Sequence, residues 1–157
     1  MNHSRRSLRS RTITTIPFLA LLLGSANALS QDLVITGVVD GPLTGGLPKA
    51  IEICVLNNVA DLSVYGVGSA NNGGGSDGEE FTFPAGPASA GTFLYVATET
   101  TGFSDFFGFA PSFTSGAAAI NGDDAIELFM SGSVVDVLGD IHTDGSGQPW
   151  EYLDGCA

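Results

Sequence analysis

Apolar and polar side chains alternate along short stretches of this chain, and the alternation breaks at Gly, Asn and Pro. The clearest case runs from Asn121 to Asp140. Ile126, Leu128 and Met130 mark one apolar face, Val135 and Val137 mark a second, and Ser131-Gly132 stands between the two runs. Two alternating runs joined by a Ser-Gly pair read as a β-hairpin. The same reading along the chain predicts seven strands, over residues 33–39, 50–55, 62–67, 80–83, 92–97, 125–130 and 134–138. No window of helical length keeps a 3.6-residue period. The nearest approach is 101–109, where Phe103, Phe106 and Phe107 predict one short amphipathic helix. Residues 71–78, NNGGGSDG, predict a flexible surface loop by composition. Short strands with this spacing and punctuation predict an all-β fold, a sandwich or barrel, in a single domain over residues 29–157.

The first 28 residues stand apart from that pattern. Arg5, Arg6, Arg9 and Arg11 form a basic head, an apolar run from Ile13 to Leu23 follows, and Ala26-Asn27-Ala28 is a small-residue cleavage site. This is the layout of a signal peptide, and the run is short of the roughly 20 apolar residues a bilayer span requires. An uncleaved anchor is the alternative. Arg5-Arg6 hints at twin-arginine export, but Leu8 alone follows as an apolar residue, which favours the general secretory route. The expectation is therefore a secreted, extracellular protein with no membrane span once the signal is cleaved.

Cleavage changes the electrostatics. All the arginines go with the signal, leaving Lys49 as the one basic residue against 17 Asp and Glu, a formal charge of −16. A phosphate backbone is bound through Lys and Arg that displace its counterions, so this composition speaks against direct nucleic-acid binding. It also speaks against phosphoryl-transfer chemistry within 29–157, which relies on metals, Lys and Arg.

Few residues offer chemistry. Cys54 and Cys156 are the whole thiol inventory. In an oxidising compartment a disulfide between them would close a loop of about 100 residues, worth roughly 4–5 kcal/mol by chain entropy. Against the pairing, Cys54 alternates with Glu52 and so lies on the face opposite Ile51, Ile53 and Val55. Two unrelated thiols are the alternative. Asp123 and Asp124 are adjacent at a strand entrance and point to opposite faces, which rules them out as a paired acid and base; Asp123 is expected to stabilise its turn. Asp136, Asp140 and Asp144, with Gly145-Ser146-Gly147, are the calcium candidates. Their spacing is not that of an EF-hand, and solvated loop acids are the default reading. His142 lies in the same loop without a nucleophile elbow or zinc-ligand spacing around it, so no catalytic and no cofactor-binding residue is expected. Trp150, Tyr152 and Leu153, like Phe103, Phe106, Phe107 and Phe109, suggest a partner-binding aromatic patch, with burial against the sandwich as the commoner fate.

Several segments together resemble the lamin tail domain of secreted bacterial proteins. They are DLVITGVVDG at 32–41, PKAIEI at 48–53, NVADLSVYGV at 58–67, NGDDAIELF at 121–129, VVDVLGD at 134–140 and DGSGQPWEYLDG at 144–155. The resemblance implies an immunoglobulin-like β-sandwich, used as an accessory module in exported nucleases, phosphoesterases and surface proteins, with no catalytic residues of its own. Cys54 stands where that family usually carries an aromatic. The family also continues past the Trp-Glu-Tyr segment into a closing strand. The chain is thus expected to be a truncated copy, or else to leave 33–39 without its neighbour, and an open sheet edge is a template for association. Two functions follow as expectations: a secreted non-catalytic binding or adhesion module for an extracellular protein or surface ligand, or the N-terminal accessory part of an extracellular nuclease or phosphodiesterase.

Overall fold

A strand with one apolar face must hide that face, and two sheets laid together hide both. The computed structural model describes residues 31–157, so the signal-peptide and export-route readings lie outside the described residues. The described strands are β1 (Leu33–Leu43), β2 (Leu47–Val55), β3 (Tyr65–Ala70), β4 (Phe81–Thr82), β5 (Phe93–Ala97), β6 (Phe113–Thr114), β7 (Ala125–Met130), β8 (Ser133–Leu138) and β9 (Gly155–Cys156), with one α-helix, α1 (Thr101–Phe107), between β5 and β6. They form a five-stranded sheet in the order β6-β5-β2-β1-β9 and a four-stranded sheet in the order β4-β3-β7-β8. The protein is an all-β sandwich. Leu33, Ile51, Ile53 and Val55 from the first sheet meet Val67, Ile126 and Leu128 from the second, all fully buried. At about 25 cal/mol per Å² of apolar surface removed from water, this shared interior is the main stabilising force.

Three devices close the sandwich around that interior. On one side, Phe81 and Phe83 of the second sheet meet Phe113 of β6, with Phe83 and Phe113 stacked at 5.5 Å. On the other side, a bulge between Ile35 and Gly37 interrupts the β1–β2 ladder, and the Ile35 N–H donates across the gap to Asp136 of β8 at 2.8 Å. At one end, Lys49 pairs with Asp40 at 2.6 Å and also donates to the Ile120 carbonyl, while Asp40 accepts from the Gly122 N–H at 3.1 Å. That pair ties the β1–β2 hairpin to the loop entering β7.

The structure departs from the sequence reading where strands are short or where loops do structural work. Residues 62–64 form a 3-10 turn capped by Asp61, whose side chain accepts from the Ser63 N–H at 3.0 Å, so β3 starts at Tyr65. This bond to the Ser63 backbone holds the exposed Asp61 carboxyl below its ordinary value. β6 and β9 are two residues each, too short to show a period. β9 corrects the expectation that β1 would lack a neighbour: Val39 pairs with Cys156 and Asp40 with Gly155, while Val38 and Ala157 exchange backbone bonds of 3.0 and 3.2 Å.

Residues 71–78 are not a flexible loop. They lie across the outer face of the second sheet, held by Asn71 to Asp77 (2.9 Å), Asn72 N–H to Asp124 (3.1 Å) and Ser76 to the buried Glu127 (2.5 Å). Glycine is needed beneath this strap because a Cβ on Gly68 would stand 2.2 Å from the Gly78 carbonyl oxygen. Within the strap, Gly73 is the glycine set tightest against a neighbour, where a Cβ would stand 2.5 Å from the Asp144 backbone nitrogen.

Candidate functional site

The outer face of the five-stranded sheet carries the feature best suited to recognition. Ala50 of β2 and Ala97 of β5 are small outward residues, and they leave room for α1 to lie on the sheet with Phe103 fully buried against them. Glu99 starts the helix by accepting from the Gly102 and Phe103 N–H groups at 2.7 and 3.1 Å, the usual way a carboxylate satisfies the first free donors. Gly108, at φ +81°, ends it by donating to the Ser104 carbonyl. A seven-residue helix followed by Phe109 therefore delivers a group of rings to one place. Phe103 lies 4.7 Å from Phe107 and 5.7 Å from Tyr95, and Phe109 lies 5.0 Å from Tyr95.

Beside these rings runs a groove of about 220 Å³, walled by Tyr95, Phe103 and Phe107 and floored by Gly37, Val39 and Ala50, with Glu52 as its carboxylate. A second, almost wholly apolar hollow of about 200 Å³, between Phe106 and Pro42, shares Val39, Phe107 and Cys156 with it. Glu52 stands in register between Gly37 of β1 and Tyr95 of β5. The Thr36 hydroxyl, placed by the β1 bulge, donates to it at 2.7 Å. The Tyr95 hydroxyl faces it from the other side; burial, then the hydrogen bond and charge of Glu52, push the Tyr95 phenol up to about 12. Glu52 is a carboxylate held in position, and no lysine or arginine among the described residues is free to neutralise it, because Lys49 is committed to Asp40.

No family model, no curated protein and no solved structure was found to match this chain.

The residues singled out from sequence are mostly dispersed into structural tasks. Asp136 bonds Ile35 across the sheets, Asp140 accepts from the His142 N–H and the Thr143 hydroxyl at 2.9 Å each, and Asp144 accepts from the Ser146 N–H at 2.9 Å. Those local bonds hold the exposed Asp140 and Asp144 carboxyls below their ordinary value, through the His142 and Ser146 backbones respectively. Of the calcium candidates, Asp136, Asp140 and Asp144 each accept from separate donors, and among the described residues no group of three or more His, Cys, Asp or Glu side chains is placed to hold a metal ion. The disulfide is corrected. Cys54 is opposite Val34 and Cys156 opposite Val39 on the same strand, about 16 Å apart along β1 at the usual strand rise, and both thiols are free.

The turn-stabilising acid at the entrance to β7 is Asp124, not Asp123. Asp124 is fully buried and accepts from the Asn121 N–H at 2.7 Å, whereas Asp123 reaches out to the Ser146 hydroxyl at 3.1 Å. His142 is exposed, lying over Gly75. Of the C-terminal cluster, Tyr152 is buried and donates to the Asp124 carbonyl at 2.8 Å, Trp150 packs against Gly139 and Gly145, and Leu153 stays exposed. Burial, then the charges of Asp124, Asp40 and Asp123, push the Tyr152 phenol up.

Among the phenylalanines of 103–109 the sequence reading holds for Phe103 alone. Phe106, Phe107 and Phe109 keep 36–49% of their surface in solvent. Sequence reasoning missed the Glu52 groove although its signal was present: Glu52, Phe93 and Tyr95 all fall on the outward alternation of β2 and β5, and rings on an outward face ask for a cover or a ligand.

Proposed function

We propose that this protein is an exported, non-catalytic binding module, resembling a lamin tail domain with its immunoglobulin-like sandwich, that recognises an extracellular partner through the outer face of the five-stranded sheet. One observation carries the reading. On a surface with a formal charge of −16, Phe106, Phe107 and Phe109 keep 36–49% of their surface in solvent and Phe107 lines the groove that holds Glu52, an arrangement that costs stability and solubility unless something binds there. Asp61, Asp124, Asp136, Asp140 and Asp144 accept from nearby N–H and hydroxyl groups and Asp40 pairs with Lys49, which suits a scaffold more than a reaction centre. The anionic surface favours a cationic partner over a nucleic acid or an anionic polysaccharide.

The test has two arms. Intact mass of the protein recovered from culture medium is expected to begin at Leu29, reporting cleavage after Ala28. Purified 29–157 is expected to release no product from a phosphodiester or an aryl ester with Mg²⁺ or Ca²⁺ added. Retention inside the cell would overturn the exported reading, and metal-dependent turnover that follows the protein through purification would overturn the non-catalytic one.

A further inference from the structure

Resting on the binding-module reading, we propose that the Glu52 groove is a receptor for the guanidinium of an arginine side chain presented by a basic extracellular polypeptide. Glu52 accepts from Thr36 at 2.7 Å and faces the Tyr95 hydroxyl. An ionised carboxylate has about four lone-pair sites, so two donors leave it able to accept more. No lysine or arginine of the described residues supplies them. The rings open to a ligand beside it are those of Tyr95 and Phe107, with the buried Phe103 packed behind them. A flat cation suits such a place twice over, since its face stacks on aromatic rings while its edge donates two parallel N–H bonds to a carboxylate. Lysine, a compact and strongly hydrated point charge, uses only one of these contacts at a time.

Charge decides among the other occupants. A second copy of this chain would bring a charge of −16 against −16, and an anionic ligand would meet the same field. A neutral sugar would find a largely apolar groove in which the carboxylate already holds a hydroxyl, too few polar groups to satisfy its own. A basic polypeptide is drawn in by the whole surface and then anchored at this point, which is also how a weak single-residue contact becomes a useful affinity when several arginines are linked.

Gly37 makes the test clean. A Cβ there would meet the Ala157 oxygen at 3.5 Å, Glu52 Cβ at 3.6 Å and Glu52 Oε1 at 3.8 Å, all ordinary contact, so this position accepts a side chain on the Glu52 side of β1. The experiment titrates N-acetylarginine amide into ¹⁵N-labelled protein and follows the backbone amides of Gly37, Glu52, Tyr95 and Phe107 by NMR. Saturating shifts confined to these amides are expected, with a dissociation constant on the order of 1 mM. N-acetylcitrulline amide, of the same shape without the charge, is expected to bind at least about tenfold more weakly. Glu52→Gln is expected to weaken the arginine ligand by about tenfold, and Gly37→Leu to abolish its shifts with the rest of the spectrum unchanged.

Equal binding of the citrulline ligand, an unaffected Gly37→Leu variant, or shifts spread over exposed acids such as Asp105 and Glu151 with the groove silent would each overturn the assignment. Any of these leaves the exported, non-catalytic reading untouched, whereas turnover would remove that reading without moving the titration.

Discussion

Lys49 is the single lysine or arginine among the described residues, and its removal should cost this protein more than a surface lysine would. Its ammonium contacts Asp40 at 2.6 Å, with 13% of the lysine and 4% of the aspartate side chain in solvent, and it also donates to the Ile120 carbonyl and lies 3.5 Å from the Asn121 side-chain oxygen. Lys49→Met keeps the length of the stem and removes the charge. Asp40 is then left buried without its counter-charge. Breaking a buried pair in this way costs about 3–5 kcal/mol, and because Asp40 keeps the Gly122 N–H the lower end, about 3 kcal/mol, is expected. Against a typical total of about 5–15 kcal/mol that is a large fraction. Urea unfolding at pH 7 is the assay: with a slope near 2 kcal/mol/M the midpoint should fall by about 1.5 M at unchanged slope.

Adding Asp40→Asn to Lys49→Met should restore at least about 1 kcal/mol, because a neutral amide still accepts from Gly122 and no longer leaves an unpaired charge. Repeating the series between low and moderate salt should leave the gap nearly the same, since a buried pair is little screened. A loss below about 1 kcal/mol, or a gap that salt erases, would refute the view that this bridge staples the hairpin to the β7 loop; it would then be an ordinary surface pair.

Asp136→Ala removes the acceptor for the Ile35 N–H across the open side of the sandwich and is expected to lower stability by about 1–2 kcal/mol in the same urea assay; no change would mean water replaces the bond fully. Gly68→Val sets a side chain against the Gly78 carbonyl and should lift the strap from Glu127, read as faster hydrogen exchange across 71–78 together with a loss on the order of 2 kcal/mol; protection equal to wild type would show that the strap is held elsewhere. Tyr65 and Tyr95, both raised from 10 to about 12 chiefly by burial, contribute stability that is present below pH 10 and lost as pH rises from 10 to about 12, while Asp61, Asp140 and Asp144, held below their ordinary 3.8, contribute stability present above that value and lost as pH falls below it. Thermal melts across pH 2–12 should therefore decline at both ends, and a flat alkaline limb would contradict the tyrosine assignment. Melting temperature should be the same in EDTA and in millimolar Ca²⁺, because Asp136, Asp140 and Asp144 are each engaged separately; a rise with calcium would show that they converge in solution.

The all-β sandwich was legible because alternation is a local property: Ile51, Ile53 and Val55 announce a buried face in any context, and so do Ile126 and Leu128. The scarcity of basic residues beyond position 28, where Lys49 is the single lysine or arginine, was equally plain, and with it the bias against phosphate ligands. Contacts between distant residues were not legible, since nothing in a one-dimensional pattern says which neighbour a side chain meets. Asp136 read as a calcium candidate or loop acid and is a bond between sheets; Cys156 read as a partner for Cys54 or an unrelated thiol and sits five positions away along β1; residues 71–78 read as slack and are a strap that Gly68 of β3 lets lie close. The groove shows the division most clearly. Local pattern put Glu52 and Tyr95 on an outward face, but only the packing of α1 on Ala50 and Ala97 decided that three rings would stand around that carboxylate, because burial, and with it the strength of every charge and ring contact, is set by the whole fold.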